Sequence, residues 1–205
     1  MKKVKKRIKK NEVCFNDKIF GNPHIDKKDF ISSKATIIGD VCLEENVIVC
    51  PNVSLRADEG TPFRVRYGTN IQDGVIFHGL KDRFVTDEEG NKYSIYIGSH
   101  STIAHGAIIH GPTMIGKHTF VGFRAIIHNA TIGRNCHIGF GAIVRGVTIA
   151  DYRYVEDGMV VNKQAVADAL PAATEHHQEF NAEVVDFNKT LVQKYKKRRE
   201  LKKQK

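Results

Sequence analysis

Large apolar residues recur at every sixth position along most of this chain. One run is Ile37, Leu43, Val49 and Leu55, and a second is Val65, Ile71 and Phe77. A third is Ile97, Ile103, Ile109, Ile115, Val121 and Ile127, and a fourth is Ile132, Ile138 and Val144. Four residues after each comes a second register, which turns small along the chain: Val41, Val47 and Val53, then Ser101, Ala107, Thr113, Thr119 and Ala125. A helix with 3.6 residues per turn cannot hold a strict six, and a hairpin meander alternates in twos. The period is that of a parallel β-helix, in which each hexad supplies one short strand and one turn and three hexads close a triangular coil. A coil buries its apolar positions only by stacking on the next, about 4.8 Å away.

Breaks in the phase mark insertions. Leu55 to Val65 is ten residues, so four are added near Asp58–Thr61. Phe77 to Ile97 is twenty, which adds fourteen, Lys81–Ser94. Ile127 to Ile132 is five, a deletion of one. Insertions in a solenoid leave as loops, often on the functional side. After Asp151 the period fades, and DGMVV (157–161) closes the prism. Phe180, Val184, Phe187, Leu191 and Tyr195 then form a helical stripe behind Thr174 as N-cap. The expected fold is an all-β solenoid with an appended α-helix. The expected segments are a basic arm at 1–20, the β-helix at 21–161 with its loop at 81–94, a connecting segment and helix at 162–195, and a basic tail at 196–205.

The net charge of +9 lies at the two ends. Residues 1–10 carry seven cationic side chains, and 194–205 carry eight against Glu200, which leaves about −5 for the body. A nucleic-acid binder needs a basic face on the folded body, and none is expected. The basic tails are read as solvated, or as a docking patch for an acidic partner. No apolar run is long enough to span a membrane or to form a secretory signal, and Cys14, Cys42, Cys50 and Cys136 form no CxxC pair. A cytoplasmic protein with reduced thiols is expected.

The phase also places side chains. His78 follows Phe77, His110 follows Ile109 and His128 follows Ile127. Corrected for the inserted residues, Arg56, His78, His110 and His128 share one column. Imidazoles one strand apart can share a tetrahedral metal ion. His105 follows Ile103 by two, on the preceding face, in a column with Asp73. Two histidines alone make a poor zinc site. The third donor is therefore expected from a second copy, in a homotrimer of three-faced prisms. His128 is expected beside the ligands and not among them. The six other histidines show no such constellation.

The stretches LRADEGTPFRVRYGTNIQDGVIFHG (55–79), TIAHGAIIHGP (102–112) and DGMVV (157–161) resemble the γ-class carbonic anhydrases. The 81–98 loop and the C-terminal segment are similar to the carboxysome-associated branch of that family. No small-subunit-like repeats follow, so a stand-alone version is expected. The resemblance implies a left-handed β-helix, with His78, His105 and His110 as metal ligands and His105 given by the adjacent subunit. It makes Arg56 and Asp58 an interfacial salt bridge and Asp73 a structural partner. It makes Glu59 an active-site glutamate near metal-bound solvent, Gln72 the hydrogen-bond partner of that solvent, Asn70 its neighbour, and Asn188 an active-site residue from the helix. Two positions depart from the family's archaeal prototype. Lys81 stands where it has a proton-shuttling Glu, and Asp186 where it has a Tyr. Asp87, Glu88 and Glu89 are candidate substitutes for the shuttle.

The implied activity is interconversion of CO2 and bicarbonate through a hydroxide on Zn, with Fe(II) or Co as other occupants of the same ligands. The alternative is a non-catalytic scaffold on the same fold. A hexapeptide acyltransferase or thioesterase is a third reading, against which the three metal-spaced histidines argue.

Overall fold

The computed structural model describes residues 14–15 and 21–203. It is a parallel β-solenoid of about eight turns with a C-terminal helix. The first face stacks Cys14–Phe15, Thr36–Gly39, Ser54–Ala57, Ile76–His78, Ile108–His110, Ile126–His128, Ile143–Arg145 and Val160–Val161. The second runs from His24–Ile25 to Thr148–Ile149, and the third from Phe30–Ile31 to Tyr154–Val155. The pairing follows the phase arithmetic: Phe77 lies against Leu55 and Ile109, and Ile132 against Ile115 across the one-residue deletion.

Each strand is only two to four residues long. Stability therefore comes from the stacked interior. Ile37, Leu55, Phe77, Ile109, Ile127 and Val144 are all fully buried, each worth about 1.5–3 kcal/mol. The small second register has its own logic. The buried hydroxyls of Thr69, Ser101 and Thr119 donate to the carbonyls of Gly98, Gly116 and Gly133 (2.9, 3.0 and 2.9 Å), so their burial leaves no group unpaired. Those glycines are themselves required by closeness: a Cβ on Gly116 would stand 2.5 Å from the backbone of Arg134. Between the second and third faces, six of the seven connections turn through a left-handed residue. Asn46, Gly68, His100, His118, Asn135 and Tyr152 occupy that corner with φ between 54° and 68°.

The inserted loop folds over the second face as an antiparallel hairpin, Val85–Thr86 with Lys92–Tyr93. Its base closes where Leu80 N–H donates to Ser94 Oγ (3.1 Å). The segment expected to be a mere connection contains a short helix, α1 (Gln164–Asp168).

The long helix, α2 (Glu175–Lys203), lies along the third face and runs against the stacking direction. Beneath it, one outward column reads Phe30, Ile48, Asn70, Thr102, Phe120, His137 and Tyr154. At the start of α2, the rings of His177 and Phe180 lie on Tyr154 and Phe120 (4.3 and 5.1 Å). Near its end, Tyr195 stacks on Phe30 (5.6 Å) and Lys196 Nζ donates to the Lys28 carbonyl (2.7 Å). Two expectations change here. The helix does not stop at Tyr195, because lysine and arginine are good helix formers and suit a C-terminal turn. The buried positions are Asn181, Val185 and Val192, whereas Phe187 is 64% exposed. Asn181 causes the offset: its amide reaches across the corner to the His100 carbonyl (3.1 Å), which rotates the apolar stripe towards a groove.

Apart from Cys14–Phe15, the basic arm at 1–20 lies outside the described residues, as do residues 204 and 205. Among the described residues no helix is long and apolar enough to cross a membrane.

Candidate metal centre

One half of the site stands on the first face. The column read from the phase is present and longer: Arg56, His78, His110, His128 and then Arg145 pair strand to strand. The same arithmetic places Arg145 directly after Val144, so it was readable. His110 Nδ1 lies 3.0 Å from the Gly111 carbonyl. A carbonyl only accepts, so Nδ1 carries the proton and Nε2 is bare. His78 Nε2 lies 3.6 Å from both Asp58 Oδ1 and Glu59 Oε1, which is beyond hydrogen-bond reach. His78 Nδ1 faces His110 Nε2 at 3.3 Å. Two nitrogens held by one tetrahedral ion at 2.0–2.1 Å stand about 3.4 Å apart. The spacing fits a shared cation, and without one it fits a hydrogen bond from one ring N–H to the other ring nitrogen.

Around this pair, Arg56 clamps Asp58 Oδ2 through Nε (2.9 Å) and Nη2 (2.8 Å). Glu59 Oε2 accepts the backbone N–H of Lys81 (2.9 Å). Thus Lys81, a departure in its side chain, contributes through its backbone by holding Glu59. Burial, with His110 and Arg145 next to it, keeps the His128 imidazole below its ordinary pKa.

The other half stands at the edge of the third face. His105 Nδ1 lies 3.4 Å from Asp73 Oδ2. The column continues through Phe123 (5.5 Å from His105) to Phe140, whose ring stacks on Phe123 at 4.6 Å. Gln72 is buried beside Asp73; its Nε2 donates to Asn70 Oδ1 (3.2 Å), and its Oε1 has no partner. Gln72, Asp73, His105 and Asn188 line one groove of about 1050 Å³ between α2 and the third face, with Phe123 and Phe187. Asn188 spends its N–H on the Val184 carbonyl (2.8 Å).

The residues named from the sequence thus fall into two groups. Arg56, Asp58, Glu59, His78 and His110 form one, and Asn70, Gln72, Asp73, His105 and Asn188 the other. Among the described residues of a single chain, no three metal-binding side chains gather at one point. The acidic loop joins neither group. Asp87 accepts from the Asn91 side-chain amide (3.2 Å) and from the backbone N–H groups of Asn91 (2.8 Å) and Glu89 (3.0 Å), closing its own hairpin, and these bonds hold its carboxyl below the usual range. Arg66 and Tyr96 on the second face and Tyr93 of the hairpin itself are its charged and polar neighbours. Sequence reasoning missed this because a hairpin inside an insertion has no phase. It also missed the Gly111 carbonyl and Thr102, which accepts from Asn70 Nδ2 (2.9 Å).

Comparison with known proteins gives three results. The family model described as bacterial transferase hexapeptide (six repeats) matches residues 112–146. A hexapeptide transferase family protein from Anaplasma phagocytophilum superimposes with a TM-score of 0.70 at 25% identity, over 85% of this chain and 93% of that one. The chain is 38% identical to the carboxysome assembly protein CcmM of Nostoc sp. over 82% of its own length but only 30% of that relative's. It spans a similar share, 32%, of the CcmM protein of Synechococcus elongatus. It is 37% identical to the carbonic anhydrase of Methanosarcina thermophila over 185 residues, 85% of this chain and 75% of that enzyme. That match runs through the repeats and both histidine groups, and with it the chain belongs to the γ-class carbonic anhydrase family.

Proposed function

We propose that this chain is a metal-dependent carbonic anhydrase whose centres are shared between the subunits of a homotrimer. The observation that supports this reading is the division of the candidate residues between two edges of one prism. A ring of three copies is a head-to-tail assembly, and it brings edge against edge three times. Each half carries an exposed apolar patch suited to such contact. Ile76, Ile108 and Ile126 flank the His78–His110 pair, and Phe123 and Phe140 flank His105.

His78, His110 and the partner subunit's His105 would hold the ion, and zinc, Fe(II) and Co(II) all suit these donors. The ion supplies Lewis acidity, bringing the pKa of coordinated water to about 7. The chain's own groups do the rest. Gln72 presents Oε1 as an acceptor that orients the attacking oxygen. The Lys81 N–H keeps Glu59 facing His78, and Glu59 takes the proton at Oε1. The Glu59 side chain is 36% exposed, so that proton passes on to solvent. CO2 and bicarbonate are the substrate pair.

Mixed assembly tests the reading directly. His78→Ala and His105→Ala proteins are expected to be inactive alone. Random trimers of the two restore one intact centre at roughly a quarter of the interfaces. CO2 hydration near that fraction, with matching metal content, supports shared centres; no recovery on mixing sinks them.

A second reading has its own support. The CcmM relatives are assembly proteins by name, and no carboxylate side chain stands at Lys81. A metal-loaded trimer without hydration activity at any buffer concentration would favour a non-catalytic scaffold.

A further inference from the structure

The column that carries His105 does not end with its aromatic pair. Two residues beyond each stacked core residue of the third face stand Asp73, His105, Phe123, Phe140 and Asp157, one per coil. The first-face column is Arg56, His78, His110, His128 and Arg145. The chain visits the two columns in strict alternation, from Arg56 to Asp73, then His78, His105, His110 and so on to Arg145 and Asp157. A solenoid climbs one strand spacing per coil, so sequence order is height order. Each member of one column therefore stands between two members of the other. In a closed ring of copies, rotation about an axis along the prism leaves every height unchanged. Once the partner subunit's His105 lies between His78 and His110, the other levels are fixed. The partner's Phe140 comes between His128 and Arg145, and the partner's Asp157 comes just beyond Arg145.

The groups at that last level are complementary. Arg145 is exposed and makes no hydrogen bond or ion pair among the described residues. Asp157 is exposed as well. Its Oδ1 accepts the Phe140 N–H (2.7 Å), which ties the carboxylate to the turn that carries that ring, and its Oδ2 makes no bond among the described residues. Phe140 is itself exposed and stacked on Phe123. A free guanidinium suits both neighbours, because it binds a carboxylate through its fork of N–H donors and lies flat on an aromatic ring. We propose that Arg145 fastens the assembly at a second point, two coils beyond His110: its guanidinium takes the partner subunit's Asp157 and lies against the partner's Phe140. The partner that this edge fits is a second copy of the chain. The inference rests on the shared-centre reading above, but its test reads assembly and not activity.

Subunit exchange measures the contact. Trimers of ¹⁵N-labelled and unlabelled chain are mixed, and native mass spectrometry follows the growth of mixed trimers, with circular dichroism confirming that each variant is folded. Interface substitutions act mainly on dissociation. Arg145→Glu sets carboxylates against each other at every interface, and exchange is expected to become at least about tenfold faster. Adding Asp157→Asn removes that repulsion while the new amide oxygen still accepts the Phe140 N–H, so the double variant is expected to exchange more slowly than Arg145→Glu alone. Rising salt should speed exchange of the wild type more than that of the double variant. Arg134→Glu breaks an ion pair with Asp151 (2.8 Å) inside one chain, at another corner of the prism, and is expected to exchange as the wild type does. An Arg145→Glu protein that exchanges at the wild-type or the Arg134→Glu rate overturns the inference. So does an Asp157→Asn change that brings no relief. A wild type that is monomeric in these spectra overturns the shared centres as well, whereas a trimer indifferent to Arg145 overturns the second fastening alone.

Discussion

Two of the histidine pairs that stand one coil apart in this molecule have equally distant ring centres, 5.3 Å for His78 with His110 and 5.3 Å for His100 with His118. They differ in everything that matters to a metal ion. The first pair is tilted by 61° and brings two ring nitrogens to 3.3 Å. The second is stacked at 16°, ring over ring. The cause is local. His78 and His110 sit on straight strands, and the Gly111 carbonyl meets the far nitrogen of His110. His100 and His118 sit in the left-handed corner with φ of 55° and 56°, and Tyr67 meets the His100 ring edge-on. Repeat spacing makes two residues neighbours; the backbone and the oxygen partners decide which atoms meet.

The largest expected effect separates the two pairs outright. His78→Ala, His110→Ala and His105→Ala each lower bound metal by tenfold or more, by analogy with the 10–100-fold losses on removing even outer partners of a metal ligand. His100→Ala, His118→Ala and His128→Ala keep the wild-type stoichiometry. Elemental analysis of the purified proteins decides, and equal loss in a His100 or His128 variant would dissolve the distinction.

Next is the carboxylate beside the first pair. Glu59→Gln keeps its metal but is expected to lower kcat by roughly 10²-fold, within the usual range for a lost proton-transfer group. Imidazole buffer at rising concentration should restore part of the rate. A variant as fast as wild type in dilute buffer removes Glu59 from the proton path.

A third effect concerns histidines that pack as rings. His137 lies between Phe120 (4.8 Å) and His177 (4.6 Å), and burial pushes its pKa down to about 4. The folded protein therefore binds this proton more weakly than the unfolded chain, whose histidine titrates near 6.5. The stabilisation is full above pH 6.5 and is lost as pH falls from there towards 4, by up to about 3 kcal/mol. Asp29 slopes the other way: burial raises its carboxyl to about 6, so its contribution falls as pH rises to that value. The difference between wild type and His137→Phe isolates the histidine. Urea midpoints measured from pH 4 to 7 should fall more steeply on acidification for wild type than for the variant.

The smallest effect tests the corner. Asn135 holds φ 54° one coil beyond His118. His118→Asn is expected to change stability by no more than about 0.5 kcal/mol, since Asn tolerates the left-handed region well. A large loss of Tm would mean that the His100–His118 stack itself supports the fold.

Before any coordinates, the sequence already contained both columns, because phase is arithmetic: counting coils places His110 over His78 and His105 over Asp73. The same count reaches Arg145 and Thr102. What it could not reach lies where no period runs. The partners of Asp87 depend on how a hairpin turns, and the hold on Glu59 depends on a backbone N–H that no side-chain pattern shows. The buried side of α2 was misplaced because a polar residue, Asn181, anchors it, and apolar periodicity is blind to that.

The two clamps on α2 make that helix a ruler for the repeat. From Glu175 to Tyr195 it measures about 31 Å at 1.5 Å per residue. The seven strands beneath it, from Tyr154–Val155 to Phe30–Ile31, span six steps of about 4.8 Å, about 29 Å in all. Adding or deleting one coil would slide the column by a strand spacing while the helix kept its length. Asn188 would then face a different level of the third face from Gln72, or one clamp would let go. A solenoid can ordinarily gain or lose turns freely; here the coil count and the helix length can change only together, about three helical residues for each coil.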